Sequence, residues 1–430
     1  MQPVRPVGKK GRRSPIPPMS ELPQPQCLRP PRLGPRPLPL HLAAQASTLL
    51  TSQLALPLWK NGSIAWKPHL QSAAAEIRLL LEKVDAEAFQ KALATESCLR
   101  AEAFLAGIEA YRHHPYRRDL PEPMMIWREG ATRLLDYGAP GAQGTPVLVI
   151  PSLINRAYVL DLTAKRSFMR YLADKGFRPF LVDWDAPGPT ETHFGLDDYV
   201  AGRLGRILDV VLARASRPVV VGYCMGGLLA FALGVLRQDD VKGLALLATP
   251  WDFHAPSPRQ SQMIEDLRKP FEDAIALFGG LPTDLLQTLF SAAGPDGITR
   301  KFSAFGRVKA NSAKARDFVA LEDWLNDGVP LVAAVARECL FGWYVDNLPA
   351  RGLWRVSSEL IVPQSFTKPC LSLIPAHDRI VPPESALALA GAMPEGHHRL
   401  VPAGHIGMMA GARSKKNVYA YIANWLIHFT

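Results

Sequence analysis

Hydrophobic positions along the chain follow a helical period first, then an alternation of short apolar runs with amphipathic stretches, and then lose both. Between residues 72 and 111 apolar side chains recur at helical spacing (Ile77, Leu80, Leu81, Val84, Phe89, Leu93), which predicts a helix-rich stretch ending near His114-Pro115. From Thr145 the pattern predicts strands at 147–150, 178–184, 219–222 and 243–249, with helices at 167–175, 197–214 and 228–236 between them. Strands separated by helices imply a mostly parallel sheet covered on both faces. The alternation lapses between Pro250 and Phe366, a mixed, aromatic-rich region too long for a simple crossover, which reads as an inserted cap or lid. Strand signals return at 369–375 and 398–401. A helix over 384–392 falls between them, and a last helix covers 417–429.

Composition changes this picture only at the N-terminus. The formal net charge is +10, but residues 1–40 hold eight Lys or Arg and one acidic residue, Glu21, together with twelve prolines. Such a segment cannot bury enough apolar surface to order itself, so residues 1–45 read as a disordered Pro/Arg-rich tail; Met19 opens a less basic beginning within it. The remainder is nearly neutral, which argues against a nucleic-acid partner. The five cysteines (Cys27, Cys98, Cys224, Cys339, Cys370) are few, odd in number and widely spaced, with no metal or redox spacing. They fit free thiols in a reducing cytoplasm, and Cys98, Cys339 and Cys370 read as core packing. The uncharged run from Pro218 to Leu236 has the length of a membrane span, but a glycine turn splits it into strand and helix, so no transmembrane span is expected. The expected organisation is then a tail (1–45), a helical N-terminal region (46–126), a catalytic core in two pieces (127–250 and 367–430) and the inserted cap (251–366).

That glycine turn carries the chemistry. Val219-Val220-Val221-Gly222-Tyr223-Cys224-Met225-Gly226-Gly227 runs from a β-branched strand through Gly-x-Cys-x-Gly-Gly into good helix formers. This is the form of a nucleophile elbow with cysteine in place of serine. A bland alternative is a buried cysteine in a tight turn. Chain order decides between them. A nucleophile, an acid and a histidine should follow one another, each past a strand end, and Asp378 and His405 stand at the two later positions. His377 competes with His405 but precedes the acid in the wrong loop. In this reading His405 takes the thiol proton and returns one to the leaving group. Asp378 either holds the imidazole tautomer or acts on a substrate hydroxyl. Backbone N–H groups of Met225 and Ile154 meet the oxyanion. Asp185, after Trp184, either lines the pocket mouth or caps its turn. The fold class is therefore α/β, with the α/β-hydrolase order of catalytic groups.

From Trp127 to Leu426 the chain resembles the polyhydroxyalkanoate synthase family. The resemblance is carried by Pro151-Ser152-Leu153-Ile154-Asn155-Arg156, Phe180-Leu181-Val182-Asp183-Trp184, Gly222-Tyr223-Cys224-Met225-Gly226-Gly227, Thr249-Pro250-Trp251-Asp252-Phe253, Asp378-Arg379-Ile380-Val381-Pro382-Pro383 and Gly404-His405-Ile406-Gly407-Met408. The last two look closest to the short, two-subunit (class III) synthases. The resemblance implies a cytoplasmic acyltransferase that joins (R)-3-hydroxyacyl-coenzyme A into a polyester and releases coenzyme A, with Cys224, Asp378 and His405 as triad. It further implies activity as a homodimer, with a second synthase subunit, at the surface of a polyester granule. Coenzyme A thioester is then substrate, and no cofactor or metal is expected. Where the family has glycine after Asp-Trp, this chain has Asp185. A thioesterase or esterase on the same fold, and a non-catalytic granule subunit, are the competing readings; they differ in whether the acceptor is a hydroxyl, water or nothing.

Overall fold

The computed structural model describes residues 31–139, 141–292 and 297–430. Its centre is an eight-stranded sheet: β1 (Met124–Glu129), β2 (Thr132–Asp136), β3 (Pro146–Ile150), β4 (Arg178–Asp183), β5 (Val219–Tyr223), β6 (Gly243–Leu247), β7 (Cys370–Pro375) and β8 (Gly396–Val401). The spatial order is β1-β2-β4-β3-β5-β6-β7-β8. β1 and β2 form an antiparallel hairpin at one edge, and from β4 to β8 all neighbours are parallel. The central strands β3, β5, β6 and β7 are buried along their whole length. That explains why they read as continuous apolar runs rather than alternating ones.

Fifteen α-helices surround the sheet among the described residues. α1 (Leu38–Lys60), α2 (Gln71–Glu82) and α3 (Ala86–Arg112) precede it, and α4 (Phe168–Asp174), α5 (Gly205–Leu212) and α6 (Met225–Leu236) connect its first strands. Between β6 and β7 lie α7 (Arg259–Asp266), α8 (Arg268–Phe278), α9 (Thr283–Ala292), α10 (Gly297–Phe305), α11 (Ala313–Asn326) and α12 (Ala333–Arg337). α13 (Pro383–Ala392), α14 (Gly407–Ala410) and α15 (Ala420–Leu426) complete the chain. Capping follows local chemistry. Ser167 accepts the Arg170 N–H at 3.0 Å to start α4, and Asp85 accepts the Ala88 N–H at 2.7 Å to start α3.

Several expectations need correction. Residues 1–30 of the proposed tail, with Cys27, lie outside the described residues, but residues 31–45 are held in place. Arg32 pairs with Asp323 at 2.5 Å and donates to the His114 carbonyl, also at 2.5 Å, and α1 begins at Leu38. Arginine in that segment is a tether, which a composition argument cannot distinguish from a solvated charge. The stretch over 72–111 is two helices, and the apolar face assigned to it is mostly open. Leu81 is buried, whereas Ile77, Leu80 and Val84 are exposed. Cys98 lies on α3 but is exposed, unlike buried Cys339 and Cys370. The β1–β2 hairpin has no counterpart among the predicted strands, because Arg128, Glu129 and Arg133 interrupt its apolar pattern at an exposed edge.

α3 packs on the inserted region rather than on the sheet. Phe104, Ile108 and Tyr111 form a separate apolar cluster with Phe302, Phe305 and Val319. The crossing with α10 is close: a Cβ on Gly107 would stand 1.9 Å from the Phe302 carbonyl oxygen. Gly107→Ala should therefore cost about 2 kcal/mol or more and lower the thermal midpoint by several degrees, as read by thermal denaturation. An unchanged midpoint would mean the two helices are not in contact.

Candidate active site

Cys224 occupies the sharp turn between β5 and α6, with φ 57° and ψ −127°. That conformation is strained for a non-glycine residue, and the surroundings enforce it. The Cys224 N–H donates to the Leu247 carbonyl at 2.8 Å, and its own carbonyl accepts the Gly227 N–H at 2.8 Å. The following glycines are required by close approach. A Cβ on Gly226 would lie 2.2 Å from the Ile150 oxygen, and one on Gly227 would lie 1.9 Å from Thr249 Oγ1. The helix is thereby pressed against β3 and β6, and the thiol is carried at its N-terminus, where the helix dipole favours an anion.

Asp378 and His405 sit past the ends of β7 and β8 and meet over the elbow. His405 Nδ1 is 2.7 Å from Asp378 Oδ2. Asp378 Oδ1 accepts the N–H groups of Ile380 (2.8 Å) and Val381 (2.9 Å). The carboxylate is buried with every oxygen occupied. Burial pulls the His405 imidazole down, but the adjoining Cys224 sulfur and then Asp378 outweigh it and push it up to about 10. The ring is held between the Cys224 sulfur and the Asp378 carboxyl group, which together favour a proton on the imidazole. Tyr223 supports it from below: its ring stacks on His405 at 5.4 Å between centroids, and its hydroxyl donates to the His405 carbonyl at 3.1 Å. Burial raises the Tyr223 phenol, so it remains a donor. His377 is exposed and takes no part in the pair.

Met225 is the first residue of α6, so no carbonyl within the helix can accept its N–H. Ile154 lines the same chamber, but its N–H donates to Ser152 Oγ at 3.2 Å. Asp185 does not line this chamber. It accepts the Ala186 N–H at 2.7 Å and pairs with Arg156, whose other contact is Asp327 at 3.4 Å. Burial pushes the Asp185 carboxyl up, but the Ala186 N–H and the Arg156 guanidinium outweigh it and hold it below the usual range.

The chamber over Cys224 encloses about 630 Å³, mouth included, and its walls are mostly carbon. Gln287, Phe290, Trp324 and Leu325 come from α9 and α11 of the inserted region. That region is stitched to the loop after β3: Val329 N–H donates to the Ile154 carbonyl at 3.0 Å, and Trp324 Nε1–H donates to the Arg156 carbonyl at 2.7 Å. Sequence reasoning does not find these wall residues. They act through tertiary contact and belong to no local motif. Among the described residues there is no cluster of three or more His, Cys, Asp or Glu able to hold a metal ion, and no helix long and apolar enough to cross a membrane.

With the elbow, the acid and the histidine at successive strand ends of a mostly parallel sheet, the protein class is defined. Residues 145–412 match the profile of the α/β hydrolase fold, and the chain belongs to that family. Within it, the chain is similar to proteins called poly(3-hydroxyalkanoate) polymerase subunit PhaC. The one from Haloarcula marismortui is 27% identical over 316 residues, covering 70% of this chain and 66% of the relative. The one from Allochromatium vinosum is 27% identical over 336 residues, covering 77% of this chain and 92% of the relative. The chain thus spans about two thirds of the haloarchaeal relative and most of the bacterial one. Among solved structures, the monoacylglycerol lipase of Paleococcus ferrophilus covers 70% of this chain at 17% identity and a TM-score of 0.45.

The proton on His405 can be read by NMR in the native chain and in a variant. The His405 ring should titrate near pH 10 in the native protein. In Cys224→Ala the largest raising influence is gone, so its titration should move toward neutrality. Because the folded-state value is raised, the stability this group contributes is complete below about 6.5 and is lost as pH rises toward 10. An unchanged titration in the variant would contradict contact between thiol and imidazole.

Proposed function

We propose that the chain polymerises (R)-3-hydroxyacyl-coenzyme A into polyhydroxyalkanoate and releases coenzyme A through an acyl thioester on Cys224. The observation that carries this is the cysteine itself: a thiol, held in an enforced elbow against an Asp378–His405 pair, at the floor of a carbon-walled chamber. The similarity to PhaC polymerase subunits supports the same reading.

The steps balance with the groups present. The Cys224 thiolate attacks the thioester carbonyl, and its oxygen takes the negative charge facing the Met225 N–H. Collapse breaks the bond to the coenzyme A sulfur, which leaves with the proton of His405. The acyl group now rests as a thioester on Cys224, close in free energy to the incoming substrate, whereas a serine ester would have discarded that activation. The 3-hydroxyl of the next unit gives its proton to neutral His405 and attacks the Cys224 acyl group. The new ester forms and the thiolate returns beside the imidazolium. Asp378, with its oxygens occupied by His405 and two N–H groups, orients His405 in both steps and leaves the base role to it. Recruitment of a second copy or a second synthase subunit, and growth at a granule surface, belong to the same proposal.

Exclusion of water decides between polymer and free acid. The inserted wall of Phe290, Trp324 and Leu325 supplies that exclusion. Incubation with 3-hydroxybutyryl-coenzyme A should release thiol and produce turbidity from an insoluble polyester. Cys224→Ala should lower thiol release by about a thousandfold or more. Thiol release with a soluble hydroxyacid would instead establish a thioesterase, and no release at all would leave a non-catalytic subunit. Phe290→Ala should raise the share of free hydroxyacid among the products at least severalfold, measured by chromatography of the soluble fraction. An unchanged share would mean that the wall does not exclude water.

A further inference from the structure

We propose that the phosphates of coenzyme A are held in a second cavity that opens from the catalytic chamber, with Arg379 as their main contact. The inference rests on the acyl-coenzyme A reading above and adds where the nucleotide end of that substrate is recognised. The cavity spans about 970 Å³ with its open mouth and about 340 Å³ without it, the latter at the lower end of the size range of small-molecule sites. It shares Gln287, Phe290, Leu325, Ile380 and Ile406 with the chamber over Cys224, so the two adjoin. The inner chamber is walled by carbon and suits an acyl group and the thin pantetheine arm. The outer cavity changes character: Arg36, Lys301 and Arg379 line it, against one carboxylate, Glu322.

The three cations are not equivalent. Lys301 is 2.7 Å from buried Glu322, and Arg36 is 2.9 Å from the exposed Asp284. Arg379 is exposed, and among the described residues it has no acidic partner. It directly follows the triad acid in the chain, at the lip where the two cavities join through Ile380. A guanidinium fork with no acidic partner among the described residues, at the edge of a cavity lined by three cations and one carboxylate, is suited to a phosphate or pyrophosphate. The other polar cavity near the chamber does not offer this. Its arginines, Arg118, Arg133 and Arg156, are each already paired, with Asp161, Asp183 and Asp185. Residues 35–36, in the tethered segment before α1, form part of the entrance wall, so the ordering of that segment also shapes the route to the chamber.

Two measurements on the full chain test this. The first is the ratio of kcat/KM for 3-hydroxybutyryl-coenzyme A to that for the 3-hydroxybutyryl thioester of N-acetylcysteamine, which lacks the nucleotide. Arg379→Gln should lower that ratio about tenfold, through a higher KM for the coenzyme A thioester. A ratio unchanged by the substitution overturns the proposal, including the case where both substrates suffer alike because Asp378 was disturbed. The second needs no turnover and so separates this inference from the polymerase reading. Adenosine 3′,5′-bisphosphate should bind the Cys224→Ala protein in calorimetry, and adding Arg379→Gln should weaken it about tenfold. Equal binding to both proteins, or binding to neither, overturns the nucleotide site whether or not the native chain makes polymer.

Discussion

Everything functional in this protein depends on one enforced close approach: α6 pressed onto the carboxyl ends of β3 and β6. The contact leaves no room for a Cβ at Gly226 or Gly227. It forces Cys224 to positive φ and pins its N–H to the Leu247 carbonyl. The strain is small against the burial of a wholly apolar helix, and its effect is positional. The thiol cannot retreat into the core, and it stands at the end of a helix whose dipole favours the thiolate. Removing the glycines would remove the constraint, and with it the reason the sulfur faces the chamber.

A second consequence is the division of labour among titratable groups. Asp378 is buried and fully hydrogen-bonded, so it acts by holding His405 in one tautomer and one orientation. His405, raised to about 10 by the Cys224 sulfur and Asp378, favours the protonated ring at neutral pH. In the proposed polymerisation that proton goes to the leaving thiolate, and the same ring then serves as base for the next hydroxyl. The proposed exclusion of water lies elsewhere, in the inserted helices, which are fixed to the loop after β3 by the Val329 and Trp324 hydrogen bonds.

The central strands, and the placing of Cys224, Asp378 and His405 together, are legible in the sequence because each signal is local. Apolar runs mark β3, β5 and β6, β-branched in the first two; Gly-x-Cys-x-Gly-Gly marks the turn; Asp378 and His405 follow strand ends in chain order. What escapes is set by contacts between distant segments. Arg32 reads as tail charge until Asp323 is beside it, and Phe290 and Trp324 read as generic aromatics until the insertion folds over the elbow. The β1–β2 edge carries charges that hide its alternation. Ile154, the second expected oxyanion donor, has its expected place in the chamber, but its N–H is engaged by Ser152, a side-chain bond no motif announces. Met225 needs only the rule that the first N–H of a helix is free.

The central claim is that Cys224 carries the acyl group. Brief mixing with 3-hydroxybutyryl-coenzyme A, acid quench and mass analysis of proteolytic fragments tests it directly. The fragment containing Cys224 should gain one or more hydroxybutyryl units in the native chain and none in Cys224→Ala. Acyl units on a different residue, or turnover by the Cys224→Ala protein at the native rate, would contradict it.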